Sequence, residues 1–270
     1  MLCTTCRQRP AASATGRCVR CTALYPPPPH GLMPGGPAPA AEGPRLLRSP
    51  EGLSKAVVAL FGAVIATDAL AMAAEVHLWR TYAGADGFTF VALERLRRAE
   101  SLSALAVGLQ FLAYLATAVL FLLWFRRVRG NAEVFDAGTQ PMRRGWAIGA
   151  WFVPVGNLWL PRRIAGGIWS ASAVPGTGQG GRSGSQALLN LWWGAWICTL
   201  LFARYAERRY DKAVVFDDVM DGLRLLIVSD ALGVLAAVLA LLFVRRLTAM
   251  QRERACLYVD PRPEPGTVPA

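Results

Sequence analysis

Four cysteines near the start of the chain stand at metal-binding spacing. CTTC and CVRC place Cys3, Cys6, Cys18 and Cys21 as two C-x2-C pairs separated by 11 residues. Each pair supplies two thiolates, and the loop between the pairs closes a tetrahedral zinc–thiolate site. Four thiolates leave no open position for a substrate, so the expected zinc is structural. Arg7, Arg9, Arg17 and Arg20 offset the negative charge of such a centre. The same residues also suit redox dithiols, but the topology below places them on the reducing side of a membrane, where disulfides are disfavoured. A ribbon this small has few contacts beyond its metal and folds only with it. Its expected role is docking onto a protein partner or onto the membrane domain. Cys198 and Cys256 read as isolated thiols.

Two acids stand inside apolar segments: Asp68 in IATDALAMAA and Asp230 in IVSDALGVLAA. A carboxylate at such a position is costly to bury and often marks an ion or proton path. Counted from the ends of the apolar windows at 1.5 Å per residue, both lie about 9–12 Å below the outer surface. Thr67 and Ser229 offer hydroxyl donors beside them. The sharper reading is one shared polar site opening outward. The plainer one is that each acid is protonated or paired on its own, for instance with Arg80, Arg204 or Arg224. Asp217, Asp218 and Asp221 form a further acidic group, expected as a solvated, salt-bridged loop rather than a cation site. The chain has no HExxH, no GxSxG and no Walker loop, and neither His30 nor His77 has an evident catalytic partner. A non-enzymatic protein is expected.

The elements that position these groups are apolar helices. The composition is 54% hydrophobic and the mean hydropathy is +0.33. Residues 56–74, 102–125, 187–202 and 223–244 are the segments long and apolar enough to approach the roughly 20 residues that a bilayer core requires. The fold class is all-α: a polytopic membrane helical bundle of four spans plus a re-entrant or short fifth segment, with a small N-terminal zinc ribbon. MLCTTCRQRP has no apolar core of a secretory signal, so the first apolar segment is expected to be a retained span.

Charge solves the topology. With four spans and both termini inside, 20 of the 29 Lys and Arg fall on the inner side, as the positive-inside bias requires. The net charge of +11 therefore reflects membrane topology, and nucleic acid is not an expected partner. A fifth full crossing at residues 145–161 (GWAIGAWFVPVGNLWLP) would place the C-terminal basic cluster outside. That segment is instead expected to enter and turn back, with Pro154 removing a donor, Gly156 taking positive φ and Asn157 bonding freed backbone groups. Such backbone must be shielded by protein or face water. Trp146, Trp151, Trp159 and Trp169 suit the headgroup interface. Residues 90–100 (FVALERLRRAE) read as a short amphipathic helix on the outer surface.

Domain boundaries follow composition. Residues 1–24 form the zinc-ribbon-like module, 25–50 a Pro/Gly-rich linker, 51–254 the membrane domain and 255–270 a disordered tail.

WFRRVRGNAEVF and GWAIGAWFVPVGNLWLP carry a family pattern. Trp124, Arg127, Arg129, Asn131, Ala132 and Glu133 match in the first block. Gly145, Trp146, Trp151, Phe152, Pro154, Asn157, Leu158, Trp159 and Pro161 match in the second, and IWSAS and NLWW follow. Over residues 50–254 the chain resembles actinobacterial membrane proteins grouped as domain of unknown function 4328, whose members often carry a short Cys-rich ribbon. The resemblance implies an integral membrane protein and no particular activity. Within it, Arg127, Arg129, Asn131, Glu133 and Asn157 are expected to form one cytoplasmic hydrogen-bonded network bracing the re-entrant segment. Arg126, Arg127, Arg143 and Arg144 would suit anionic lipid. The leading expectation is a plasma-membrane scaffold or regulatory protein, both termini cytoplasmic, presenting the ribbon to a protein partner from among membrane lipids. The alternative is a small transporter or channel using Asp68 and Asp230.

Overall fold

The computed structural model describes residues 47–84, 93–174 and 186–259. The cysteine module, most of the linker and residues 260–270 of the tail lie outside the described residues, and the expected ribbon with them; residues 255–259, expected in the disordered tail, instead continue the last helix. Four long helices dominate: α1 (Glu51–Ala83), α2 (Leu93–Phe135), α5 (Ala187–Asp211) and α6 (Phe216–Val259). Between α2 and α5 come a one-turn helix α3 (Trp146–Gly149) and the amphipathic α4 (Leu160–Ser172). Among the described residues there is no strand. The four long helices are the ones long and apolar enough to cross a membrane.

These helices run past their apolar windows. At 1.5 Å per residue the 33 residues of α1 reach about 50 Å, well beyond a hydrocarbon core of roughly 30 Å. Residues 93–100 are the first turns of α2, not a separate surface helix, because the apolar pattern of Leu102 onward continues their helix without a breaker. α1 packs along both α2 and α6, and α5 packs along α6. The start of α1, the end of α2 and the end of α6 meet at one end of the bundle, where the Arg48 backbone bonds Asn131 and Asn131 bonds Gln251. Arg126, Arg127, Arg129, Arg245 and Arg246 gather toward the same end, here called the basic end.

Residues 145–161 do not cross. At the entry, Arg144 pairs with Glu133 of α2 at 2.7 Å. At the exit, Gln251 of α6 donates to Ser172 at 3.2 Å. Glu133 and Gln251 both stand at the basic end, so the segment leaves where it entered. Between those points it reaches inward. Trp151 packs edge-on against Phe121, Phe125, Trp193 and Trp196. Phe121 lies about 18 Å along α2 from Glu133, at 1.5 Å per residue.

The turn is made differently from the expectation. Val155, not Gly156, has the left-handed backbone, with φ 62°, a strained conformation for a β-branched residue. The Gly156 amide donates to the Pro154 carbonyl at 2.6 Å across it. Gly156 is required for space instead: a Cβ there would lie 2.9 Å from Leu160 Cδ1 and 3.0 Å from Val153 Cγ1.

The returning helix seals the basic end. Ile164, Ala165, Ile168 and Trp169 of α4 join Trp124, Phe125 and Val128 of α2 and Phe243, Val244 and Leu247 of α6 in one buried cluster. Trp169 stacks on Phe243 at 6.0 Å. Two of the four tryptophans expected at the interface therefore belong to the packing, Trp169 at 2% exposure and Trp151 half-buried, whereas Trp146 and Trp159 are 41% and 54% exposed.

This path gives a direct test of topology. Ser170 and Gly145 are exposed at the two flanks of the segment, and Lys212 is exposed at the opposite end of the bundle. In a chain whose native cysteines are replaced by serine, an impermeant maleimide should label Ser170→Cys and Gly145→Cys from one side and Lys212→Cys from the other. Labelling of Ser170→Cys and Gly145→Cys from opposite sides would make the segment a span.

Candidate functional site

Three helices place polar residues on facing stripes inside the bundle. On α1, Asp68 and Glu75 are seven residues apart and share one face. On α2, Gln110 and Tyr114 are four apart, and on α6, Asp230 and Gly233 are three apart, both neighbour spacings on a helix. The Gln110 amide nitrogen donates to Asp68 Oδ1 at 2.9 Å and to Asp230 Oδ1 at 3.0 Å. The Tyr114 hydroxyl donates to Asp68 Oδ2 at 3.1 Å. Glu75 lies against Asp230. Asp68 is fully buried and Glu75 is 5% exposed. Glu75 Oε2 and Asp230 Oδ2 are buried with no hydrogen-bond donor.

Gly233 makes the approach fit. A Cβ at that position would stand 2.9 Å from Asp68 Oδ2 and 3.1 Å from the Tyr114 hydroxyl. The α6 backbone thus forms one wall of the site, and a side chain there would displace the carboxyl.

The two acids singled out from the sequence are brought together, linked through one amide. They stand farther from the helix ends than from the ends of the apolar windows. Asp68 is about 22 Å along α1 from Ala83, and Asp230 about 21 Å along α6 from Phe216, at 1.5 Å per residue. The difference arises because the helices continue beyond the apolar windows. Among the described residues no Lys or Arg pairs with Asp68, Glu75 or Asp230. Arg224 instead bonds Asp221 at 2.9 Å and lies 5.7 Å over the Trp79 ring. Thr67 turns back on its own helix, donating to Ala63 and Val64 carbonyls at 3.0 Å. Asp217 and Asp218 occupy the first turn of α6, where the helix dipole favours negative charge. Among the described residues no three His, Cys, Asp or Glu side chains are disposed to hold a metal ion.

Glu75, Gln110 and Tyr114 escaped the sequence reading. The apolar window of residues 56–74 stops one residue short of Glu75. Its seven-residue distance from Asp68 was the available signal.

A second polar group closes the basic end. Asn131 donates to the Arg48 carbonyl at 2.9 Å and to Gln251 Oε1 at 3.1 Å, and accepts from the Arg48 amide at 3.1 Å. Gln251, 1% exposed, donates to the Val128 carbonyl and to Ser172. Arg129, also 1% exposed, donates to the Met142 carbonyl at 2.6 Å and stands 3.9 Å from Glu133. Arg127 holds the Ser49 carbonyl at 3.1 Å. The five residues expected as one network therefore divide. Arg129 and Glu133 grip the entry of the re-entrant segment, while Arg127 and Asn131 hold the residues before α1. Asn157 joins neither: its Oδ1 is buried without a partner at the inner turn. Gln251, which the sequence reading passed over, is the link between Asn131 and Ser172.

The family model described as domain of unknown function (DUF4328) matches residues 87–249. The chain belongs to the DUF4328 family. No curated protein and no solved structure matches it. The DUF4328 region contains the re-entrant segment together with Gln110, Tyr114, Asp230 and Gly233. Asp68 and Glu75 precede it on α1, so the interior site is completed by a helix outside the matched region.

The division of the basic-end residues is testable by stability. Asn131→Ala should lower unfolding stability in detergent by about 2–4 kcal/mol, since each buried group left without its partner costs about 1–3 kcal/mol. Asn157→Ala, which removes no such bond, should cost less than about 1 kcal/mol. Equal losses would mean that Asn157 has a share in the bracing.

Proposed function

We propose that the chain is a non-enzymatic plasma-membrane protein that couples binding of a cation to transport across the membrane, with Asp68, Glu75 and Asp230 as the ion-binding carboxyls. The observation that carries this reading is the single Gln110 amide bridging Asp68 and Asp230, with no Lys or Arg among the described residues to neutralise them. Carboxyls inside a membrane bundle are expensive, and those retained there commonly face an ion or proton pathway. A cluster spread over α1, α2 and α6 also gives the ion a means of changing how three helices pack. The lysines and arginines support an orientation with the basic end in the cytoplasm. There Arg126, Arg127, Arg143 and Arg144 would sit beside anionic headgroups.

The test is flux. Purified full-length protein in vesicles should dissipate an imposed proton or sodium gradient, and Asp68→Asn should slow this by at least about ten-fold, the effect of roughly 1.4 kcal/mol. Cys256→Ser, an exposed thiol on the far part of α6, should leave it unchanged. Equal rates for wild type and Asp68→Asn would remove the carboxyl cluster from the mechanism.

The C-x2-C pairs support a second element of function. Cys3, Cys6, Cys18 and Cys21 are a donor set that fits structural zinc, and a ribbon on the Pro/Gly-rich linker would serve as a cytoplasmic docking module for a protein partner. The full-length chain should carry one zinc ion, measured by atomic emission. Cys18→Ser should lose it while membrane insertion is unaltered. A zinc-free wild-type chain purified without chelator would exclude the ribbon.

A further inference from the structure

We infer that the ion taken by the interior site is a proton, held between the carboxyl groups of Glu75 and Asp230. This deepens the proposal above by naming the ion, and rests on the same site.

The argument is a count of lone pairs. Both hydrogens of the Gln110 amide point at carboxylate oxygens, one on Asp68 and one on Asp230. The Tyr114 hydroxyl takes the other oxygen of Asp68. Asp68 is thereby supplied with a donor on each oxygen and Asp230 with a donor on one. The buried oxygens that remain unsupplied are Asp230 Oδ2 and Glu75 Oε2. Hard metal cations demand many more oxygens, about six for magnesium and six to eight for calcium. Here N–H and O–H hydrogens, not further oxygens, fill the space around the carboxylates. One hydrogen placed between these two buried oxygens supplies both.

Electrostatics leads to the same ion. Two carboxylates side by side in an apolar interior cannot both stay ionised without a counter-charge. The groups facing the pair supply none. Asp68 of α1 adds a like charge, and Tyr114 of α2 and Tyr210 of α5 are neutral phenols within electrostatic reach. Arg224 of α6 is held by Asp221. One proton lets the pair bond internally: the O–H of one carboxyl donates to the oxygen of the other. When the proton moves, the O–H bond on Glu75 breaks as one forms on Asp230, the pair keeps a single negative charge and no co-reactant is required. The arrangement of donors assigns the resting proton to Glu75, the carboxyl with none.

Infrared difference spectroscopy on the full-length protein in vesicles tests this. At neutral pH the wild type should show a protonated-carboxyl C=O band that shifts on deuteration. The band should survive addition of sodium, potassium or magnesium chloride, and should vanish in the double variant Glu75→Gln/Asp230→Asn. Glu94→Gln, an exposed residue bonded to Arg98, should leave it in place. A wild type without the band overturns the proposal, and that result needs no variant to fold. So does a band that sodium bleaches, or one that persists in a correctly folded double variant. The two readings fail separately. A protonated carboxyl with no flux in vesicles removes transport and leaves the proton site. Sodium flux with no protonated carboxyl removes the proton and leaves transport.

Discussion

A side-chain amide inside an apolar bundle must place both of its hydrogens on acceptors, and two amides of α2 do so in the same way. Gln110 reaches Asp68 on α1 and Asp230 on α6. Asn131 reaches the Arg48 carbonyl ahead of α1 and Gln251 on α6. They are 21 residues apart, about 31 Å along the helix and about 5.8 turns, which keeps both on the side of α2 that faces the same pair of neighbours. Unpaired polar groups at these depths would each cost several kcal/mol in hydrocarbon. The register of α1, α2 and α6 is therefore held at two levels by bonds that fail together if any helix rotates.

The re-entrant segment depends on that frame. Its backbone breaks at Pro154, which has no N–H to donate, and at Val155, whose φ is 62°, and such backbone is tolerated only against protein or water. Aromatic packing supplies the shield. Trp151 is enclosed by rings of α2 and α5, and the Trp193 indole donates to the Leu158 carbonyl at 3.0 Å, satisfying one group freed by the turn. Gly167 lets the preceding loop lie close, since a Cβ there would stand 2.7 Å from the Thr139 carbonyl oxygen. The same residues that make the sequence look like a poor span make a good turn once four helices surround it.

Much of this was legible beforehand. Four apolar windows mark the spans, and the basic clusters demand an even number of crossings, which rules out a fifth at Pro154. The blocks around Trp124 and Trp151 identify the family. Other features were misjudged for physical reasons. Helix ends were placed where apolarity stops, though amphipathic turns continue a helix for as long as its neighbours do. This hid Glu75. The positive φ was given to glycine on intrinsic preference, whereas close packing with Leu160 needs the glycine and leaves the strain to Val155. Asn157 was joined to Asn131 because both are polar residues in the family blocks. The turn places one inward and the other at the basic end.

Length, hydropathy and charge are local properties, and they determined by themselves that this is an all-helical membrane protein with four spans, an interrupted segment and a basic end. Which polar residues share a site was decided by the tertiary structure. Asp68 and Asp230 are far apart in the chain and meet through a residue of a third helix. That meeting depends on which helices are neighbours and on the rotation of each about its axis. Rotation is chosen by the whole set of contacts, by Gly233 making room and by Gln110 and Asn131 each finding two acceptors. No single stretch of sequence contains that information.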